Sequence, residues 1–281
     1  MPKADFVGDV ASFDGTRIRY QTFGEGPPIV FGNGIGVGFR GLKLQIEALR
    51  KGFRVICWDH RGIFDSDRPG PGGMSVASQA RDLLSVMDAV GVRDAAYAGW
   101  SMGVQVGLEA IRMARARFTR SFFLSGVAGL PGRAAVPLPF DRLVIAGLNR
   151  QAPRVVRSAW RAIGSERFFA LAKRAGYVAE SVDREVFMTM TRGVASHDPS
   201  VYLGTLSQVL QHDARDVLPA LRVPVLFVGG DKDRMTPPRA LAKLAKSAGG
   251  SVRTIEGGSH FALIERPGEV NELLWSFFSG C

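Results

Sequence analysis

The sequence predicts an α/β fold, in which a mostly parallel central sheet is covered by helices on both faces. Short, wholly apolar runs at residues 28–31 and 53–58 are typical of strands that are buried on both sides. Segments with helical periodicity alternate with these runs. In the segment 75–90, for example, the apolar residues at 76, 80, 83, 84, 87 and 90 form one face. Strands that alternate with helices in this way indicate a parallel sheet.

The remaining elements of the first half follow the same alternation. Residues 17–23 alternate polar and apolar side chains, which predicts an antiparallel edge strand after a turn at Asp14 and Gly15. The run 28–31 ends in a glycine-rich stretch, residues 32–38. The other predicted elements are helices at 42–51, 75–90 and 104–116 and strands at 53–58, 95–98 and 121–124.

The pattern changes near residue 131. Prolines interrupt the chain at 131, 137 and 139, and residues 143–211 have mainly helical periodicity without a strand candidate. The strand and helix alternation then resumes at 223–228, 238–248, 251–255 and 269–278. We therefore expect one domain with a core formed by residues 1–130 and 212–281, and a helical cap at about 131–211.

Composition limits the classes of function. The 281 residues include 36 Lys and Arg against 26 Asp and Glu, a net charge of +10, but the basic residues are spread along the chain. This spread favours a solvated surface over nucleic-acid binding, with attraction to anionic substrates or surfaces as the alternative. Two cysteines cannot form a disulfide framework, and Cys57 is expected to be a buried free thiol.

The sequence also carries an expectation about location. The first residues lack the apolar core of a signal peptide, and no apolar stretch approaches the roughly 18 residues of a membrane span. We therefore expect a cytoplasmic protein without a membrane span and without a nucleic-acid partner. The oligomeric state stays open.

The pentapeptide Gly-Trp-Ser-Met-Gly, residues 99–103, lies between an apolar run and a helical segment. A serine on a sharp strand-to-helix turn has a strained backbone, and very small residues are needed two positions before and after it. Gly99 and Gly103 meet this requirement. The motif predicts that Ser101 is a nucleophile.

Two later loops provide the groups that such a serine requires. Asp231 and Asp233 follow the strand 223–228, and His260 follows the strand 251–255. The carboxyl ends of parallel strands meet at one edge of a sheet, so these side chains are expected to lie near Ser101. A serine hydroxyl needs a base such as an imidazole, and the imidazole needs a carboxylate to orient it.

These motifs resemble those of the α/β-hydrolase superfamily over nearly the whole chain. The resemblance rests on Asn-Gly-Ile-Gly at 33–36, Asp-His-Arg-Gly at 59–62, the pentapeptide at 99–103, and the acid and histidine loops, which end in His-x-x-x-x-Glu-x-Pro at 260–267. The sequence departs from the family pattern at two positions. Asn33 stands where the family often has His, and Phe64 stands where it often has Gly. Neither departure removes Ser101, His260 or the acid.

The resemblance implies roles for further residues. It assigns the acid to Asp233 rather than to Asp231, and it assigns the oxyanion hole to the backbone N–H groups of Ile35 and Met102. Trp100 either lines the pocket or packs beneath it, and the apolar cap residues either wall the pocket or pack the cap's own core. The expected substrate-binding residues are Asn33, Trp100, Phe140, Leu143, Trp160 and Phe168.

The remaining histidines are expected to be structural. His60 is expected to hold its loop, and His197 and His212 are expected to be loop or cap residues. No His, Cys, Asp and Glu cluster has the spacing of metal ligands, so we expect neither a metal nor a cofactor.

The predicted function is a serine hydrolase that cleaves a carboxylic ester or related acyl bond through an acyl-enzyme. The same three residues also serve lactonases, thioesterases, carbon–carbon hydrolases, acyltransferases and cofactor-free haloperoxidases. Serine at position 101 argues against haloalkane dehalogenases and epoxide hydrolases, whose nucleophile is a carboxylate. A ligand receptor that retains the three residues is the alternative outside enzymes.

Overall fold

The computed structural model describes residues 2–129 and 153–280, and the side chains of the second range from residue 158 onward. Eight strands of the described residues form one sheet. They are β1 (Phe6–Ala11), β2 (Arg17–Phe23), β3 (Pro28–Gly32), β4 (Arg54–Trp58), β5 (Ala95–Trp100), β6 (Phe118–Leu124), β7 (Val225–Gly230) and β8 (Ser251–Ile255). Their order across the sheet is β1-β2-β4-β3-β5-β6-β7-β8.

The pairing of the strands confirms the mostly parallel sheet. The pairs β1 with β2 and β2 with β4 are antiparallel, and the pairs from β4 to β8 are parallel. The expectation that 17–23 is an edge strand was wrong, because β1 covers the outer side of β2. Residues of β1 are mostly exposed, so this strand lacks the alternation of apolar side chains by which we identified the others.

Helices connect the strands as expected. The helices of the first half are α1 (Lys43–Leu49), α2 (Val76–Ala89) and α3 (Met102–Ala114). The side chain of Ser75 caps α2 by accepting a hydrogen bond from the N–H of Ser78, and the helix buries Val76, Leu83 and Met87 against the sheet. The apolar face predicted for this segment is therefore the face that packs on the core.

Four α-helices between β6 and β7 lie in the described residues, and a 3-10 helix at Arg215–Ala220 follows them. They are α4 (Pro153–Ala162), α5 (Glu166–Arg174), α6 (Arg184–Ser196) and α7 (Pro199–Gln211), and we call them the helical segment. Ser165, Asp183 and Asp198 cap the last three of them. Phe140 and Leu143, two of the expected pocket residues, lie outside the described residues.

The chain closes with α8 (Pro238–Ala248), the short α9 (Ala262–Glu265) and α10 (Pro267–Ser279). Cys57 is a buried free thiol, as expected. Within residues 2–129 and 153–280, no helix is long and apolar enough to cross a membrane.

The register of the sheet sets the position of the site. Gly32 of β3 pairs with Gly99 of β5, and Leu124 of β6 pairs with both Trp100 of β5 and Val228 of β7. The loops that follow these strands therefore leave the sheet at one level, along its carboxyl edge. Parallel sheets bind their ligands at this edge.

Candidate active site

Ser101 lies on the sharp turn between β5 and α3. Its backbone has a φ of 56° and a ψ of −118°, a conformation that non-glycine residues rarely adopt. A Cβ atom on Gly99 would lie 2.7 Å from the carbonyl oxygen of Gly103, and one on Gly103 would lie 2.4 Å from the carbonyl oxygen of Gly32. The turn therefore requires glycine at both positions, for the reason that the sequence motif suggested.

The structure brings Ser101, His260 and Asp233 together. The Oγ atom of Ser101 lies 2.9 Å from Nε2 of His260, and Nδ1 of His260 lies 3.1 Å from Oδ2 of Asp233. His260 and Asp233 are 5% and 3% exposed, so little water competes for these contacts. With the ring proton on Nδ1 and donated to Asp233, Nε2 is free to accept the hydroxyl proton of Ser101.

Asp233 is held as a carboxylate by its surroundings. Burial alone would raise the pKa of Asp233, but the charge of His260 and the hydrogen bonds from His260 and Thr236 outweigh it and hold this pKa below its ordinary value. The backbone N–H groups of Met235 and Thr236 both donate to Oδ1 at 2.8 Å. The hydroxyl of Thr236 donates to Oδ2.

Asp231, the alternative acid, has other partners. Its carboxylate lies 3.1 Å from the ammonium of Lys232, and its backbone N–H donates to the carbonyl of Ile255. Of the two carboxylates that the sequence left open, Asp233 is the one that contacts His260.

The loop after β3 lies against the turn that carries Ser101. A Cβ atom on Gly34 would lie 2.8 Å from the ring of Trp100. A Cβ atom on Gly103 would lie 3.1 Å from the carbonyl oxygen of Asn33. Ile35 is therefore part of a loop that packs directly on this turn. Met102 is the first residue of α3, where backbone N–H groups have no partner within the helix.

Three of the expected pocket residues have well-defined structural contacts. The Asn33 side chain is fully buried and donates to the carbonyl of Trp58 at 2.9 Å. Trp100 is 2% exposed, and its indole N–H donates to the carbonyl of His260 at 3.1 Å, so it packs beneath the site. Trp160 donates to the carbonyl of Val194 within the helical segment. Phe168 is half-buried against the main hydrophobic core.

The other three histidines differ in their surroundings. His60 is fully buried, and its Nδ1 and Nε2 contact Oε1 of Gln79 and the carbonyl of Asn33. Burial lowers the pKa of His60 to about 4, so its ring is neutral and holds its loop. His212 contacts Glu109 of α3 at 2.9 Å. His197 lies at the end of α6, between the helical segment and the core.

Sequence reasoning missed three residues that fix the site. Besides Thr236, these are Phe261, whose ring lies 5.7 Å from that of His260, and Phe187 of α6, whose ring lies 5.3 Å from that of Phe261. The position of Thr236 three residues after Asp233 is a hydrogen-bonding spacing that could have identified it. No local signal marks Phe187, because its contact with the histidine loop is made across the fold.

Glu265 fixes the histidine loop. It is 3% exposed, and it accepts hydrogen bonds from the N–H and hydroxyl of Ser259 and from the N–H of Ala179, each at 2.6 Å. This carboxylate therefore ties the residue before His260 to the connection between α5 and α6. It is the Glu of the motif at 260–267.

The described residues contain no group of three or more His, Cys, Asp and Glu side chains that could hold a metal ion. The contacts around Ser101 are instead those of a hydroxyl, an imidazole and a carboxylate in a row. Such a row can transfer a proton away from the hydroxyl.

Comparison with known proteins defines the class. Residues 27–267 match the family described as the alpha/beta hydrolase fold. The chain therefore belongs to the α/β-hydrolase fold family. Its relatives include proteins named as hydrolases, esterases and lactonases, and the chain is an enzyme of the hydrolase class.

Three of these similar proteins cover almost the whole chain. A putative carbamate hydrolase RutD of Azorhizobium caulinodans is 27% identical and aligns over 92% of this chain and 94% of its own. The 3-oxoadipate enol-lactonase 2 of Acinetobacter baylyi is 22% identical over 96% of both chains. A hydrolase from Pseudomonas aeruginosa with a known crystal structure is 26% identical in sequence to this chain. The two structures superpose with a TM-score of 0.79 over 98% of this chain and 99% of the other.

Proposed function

We propose that the protein is a serine hydrolase that cleaves a carboxylic ester or a related acyl bond through an acyl-enzyme on Ser101. One observation carries the proposal. The 2.9 Å contact between Ser101 Oγ and His260 Nε2 continues through the 3.1 Å contact between His260 Nδ1 and Asp233. This is the arrangement that makes a neutral hydroxyl nucleophilic.

The roles follow from the positions of the protons. His260 removes the hydroxyl proton of Ser101 as the oxygen attacks the carbonyl carbon, and then gives this proton to the leaving group. Asp233 holds the Nδ1–H of the ring and stabilises the imidazolium that forms. Water then attacks the acyl-enzyme with His260 again as the base, and Ser101 regains its proton.

The oxyanion that forms on attack requires donors at fixed positions. We assign these to the backbone N–H groups of Ile35 and Met102. The packing of Gly34 on Trp100 supports this assignment, because it fixes the loop after β3 against the turn that carries Ser101. One such donor is typically worth about 3 kcal/mol of transition-state stabilisation.

The helical segment is proposed as part of a cap, at about 131–211, over the acyl pocket. The ring of Phe261 packs near that of His260, and Phe187 of α6 packs on Phe261, so two apolar rings lie between the base and the helical segment. Apolar walls near the base exclude water and accommodate an acyl chain. Phe168 is proposed to contribute to the same wall, together with Phe140 and Leu143.

The test combines a covalent probe with a substrate panel. A fluorophosphonate is expected to label Ser101 in the intact protein and to fail with Ser101→Ala. Ser125→Ala is the matched control, because Ser125 is a second serine with a positive φ, 46°, at the end of a neighbouring strand. Labelling that persists in Ser101→Ala would overturn the proposal.

The panel consists of p-nitrophenyl esters from acetyl to palmitoyl, tested beside simple lactones, thioesters and carbamates. Steady turnover of an ester is expected. Stoichiometric binding without turnover would instead favour a ligand receptor. Turnover restricted to lactones or carbamates would change the proposed substrate class but not the proposed roles of the three residues.

A further inference from the structure

Phe64 occupies a position at which its backbone is strained. Its φ is 47°, and the only other non-glycine residues with positive φ in the described part of the chain are Ser101 and Ser125. A bulky side chain is disfavoured in this conformation, and the family often has glycine here. Strain of this kind persists only where the surrounding structure imposes it, and it is concentrated at functional sites.

The ring of Phe64 is wedged between the core and the helical segment. A Cβ atom on Gly38, in the loop after β3, would lie 2.5 Å from this ring, and one on Gly193 of α6 would lie 2.9 Å from it. The guanidinium of Arg40 lies over the ring at 4.3 Å, and the ring of His197 meets it edge-on with centroids 4.4 Å apart. The ring therefore fills the whole space between two glycines.

His197 connects this ring to the loop that carries Ile35. Burial lowers the pKa of His197, and a hydrogen bond with the backbone of Gly36 opposes this effect. Its Nε2 is buried without a hydrogen-bond partner among the described residues. A Cβ atom on Gly36 would lie 2.7 Å from the ring of Tyr202, so α7 also packs on this residue.

The loop needs such external support. Residues 34–38 contain three glycines, and Gly36 and Gly38 have φ values of 71° and 65°. Glycine restricts the backbone least of all residues, so the loop has little stiffness of its own. Trp100 supports it at Gly34 and Phe64 supports it at Gly38, while His197 packs on Phe64 and interacts with the backbone of Gly36.

We propose that Phe64 and His197 form a bracket that positions the loop 34–38, and through it the N–H of Ile35, for oxyanion binding. The bracket rests on the proposed function, because it acts through the oxyanion donor. Phe64 and His197 are positioning residues and do not touch the substrate. The strained backbone at Phe64 is retained because only a large ring at this point reaches both the loop and α6.

An oxyanion donor acts in the transition state, so its misplacement lowers kcat with little change in KM. Phe64→Gly removes the ring and also relieves the left-handed strain. We expect it to lower kcat and the rate constant of fluorophosphonate labelling by about 10- to 100-fold, the effect of moving a catalytic group by about 1 Å. The midpoint of the pH–rate profile is expected to stay unchanged, because Ser101, His260 and Asp233 are untouched.

Variants of His197 test the bracket without a change at Phe64. His197→Ala is expected to lower the labelling rate in the same way. His197→Asn is expected to restore much of it, because the amide N–H takes the place of the ring N–H towards Gly36. The double variant Phe64→Gly/His197→Ala should be no worse than the worse single variant, since both act on one loop. Leu171→Ala, at an exposed position of α5, is the control and should match the wild type.

The outcomes separate the bracket from the proposed function. A wild-type protein that the probe does not label would overturn the proposed function itself. A labelled wild type whose Phe64→Gly and His197→Ala variants react within twofold of it would overturn the bracket alone. A rise in KM at constant kcat, or a shifted pH profile, would also overturn it. If Phe64→Gly does not fold, a difference between His197→Ala and His197→Asn supports the bracket and equal rates overturn it.

Discussion

Thr236 donates its side-chain hydroxyl to Oδ2 of Asp233, the same carboxylate oxygen that lies 3.1 Å from Nδ1 of His260. One oxygen thus accepts two hydrogen bonds, while the backbone N–H groups of residues 235 and 236 occupy the other. The carboxylate cannot rotate without losing several partners at once. We infer that Thr236 fixes the direction from which Asp233 meets the imidazole.

Thr236→Val, which keeps the shape of the side chain and removes the hydroxyl, is expected to lower kcat about tenfold, the effect of losing one charge-assisted hydrogen bond. Thr236→Ser keeps the hydroxyl and should retain most of the activity. The measurement is kcat on a p-nitrophenyl ester. Equal activity of the Val and Ser variants would mean that the two backbone donors suffice to orient Asp233.

Asp233→Asn is expected to lower kcat far more than Asp231→Asn. The amide favours the wrong tautomer of His260, and this change costs about 10⁴-fold in a well-studied enzyme with the same three groups. Asp231→Asn removes the contact with Lys232, which is a partly exposed ion pair. Steady-state rates of the two variants decide the matter, and the opposite ranking would transfer the role of the acid to Asp231.

Asp59 should make the folded protein sensitive to pH. Burial raises the pKa of Asp59 to about 7, and the charge of Arg40, 3.5 Å away, only partly opposes this effect. Because folding raises the pKa of Asp59, the folded state loses stability as the pH rises from the ordinary pKa of the group, 3.8, towards about 7. The corresponding loss is at most about 4 kcal/mol.

Asp59→Asn is therefore expected to raise the thermal midpoint above that of the wild type at pH 8, and to leave it nearly unchanged at pH 4. Asp65→Asn is the matched control, because Asp65 pairs with the same Arg40 at 3.6 Å but is exposed. It should shift the midpoint little at either pH. A lower thermal midpoint for Asp59→Asn than for the wild type at pH 8 would contradict the expectation.

Trp160 and Phe168 should respond differently to truncation. Trp160 is 7% exposed and hydrogen-bonded to Val194, so Trp160→Ala should destabilise the protein by about 3–5 kcal/mol. Phe168 is only partly buried, and Phe168→Ala is expected to change the preferred chain length of the ester panel while Ser101 is still labelled. Unfolding curves and the panel test both points. An unchanged chain-length profile for Phe168→Ala would remove this residue from the acyl pocket.

The sequence was sufficient for the main features of the fold. Buried parallel strands leave continuous apolar runs, and their order along the chain brings the loops with Ser101, Asp233 and His260 to one edge of the sheet. β1 could not be found in this way, because its exposed side chains follow no apolar alternation.

The side-chain contacts of the site were harder to predict. The sequence could not decide whether Trp100 lines the pocket, because its burial depends on a carbonyl that lies 160 residues further along the chain. Phe64 was noticed only as a departure from glycine. Its contacts with Gly193 and His197 come from the helical segment, and no local pattern around residue 64 indicates them.

The contact between Ser101 and His260 joins residues that are 159 positions apart. During synthesis the strand that presents Ser101 emerges long before β7 and β8, which extend the finished sheet beyond β6. Under the proposed function, an incomplete chain therefore carries the nucleophile without its base. For the same reason, reactivity of Ser101 would report that β7 and β8 have joined the sheet, whereas helix content would recover earlier.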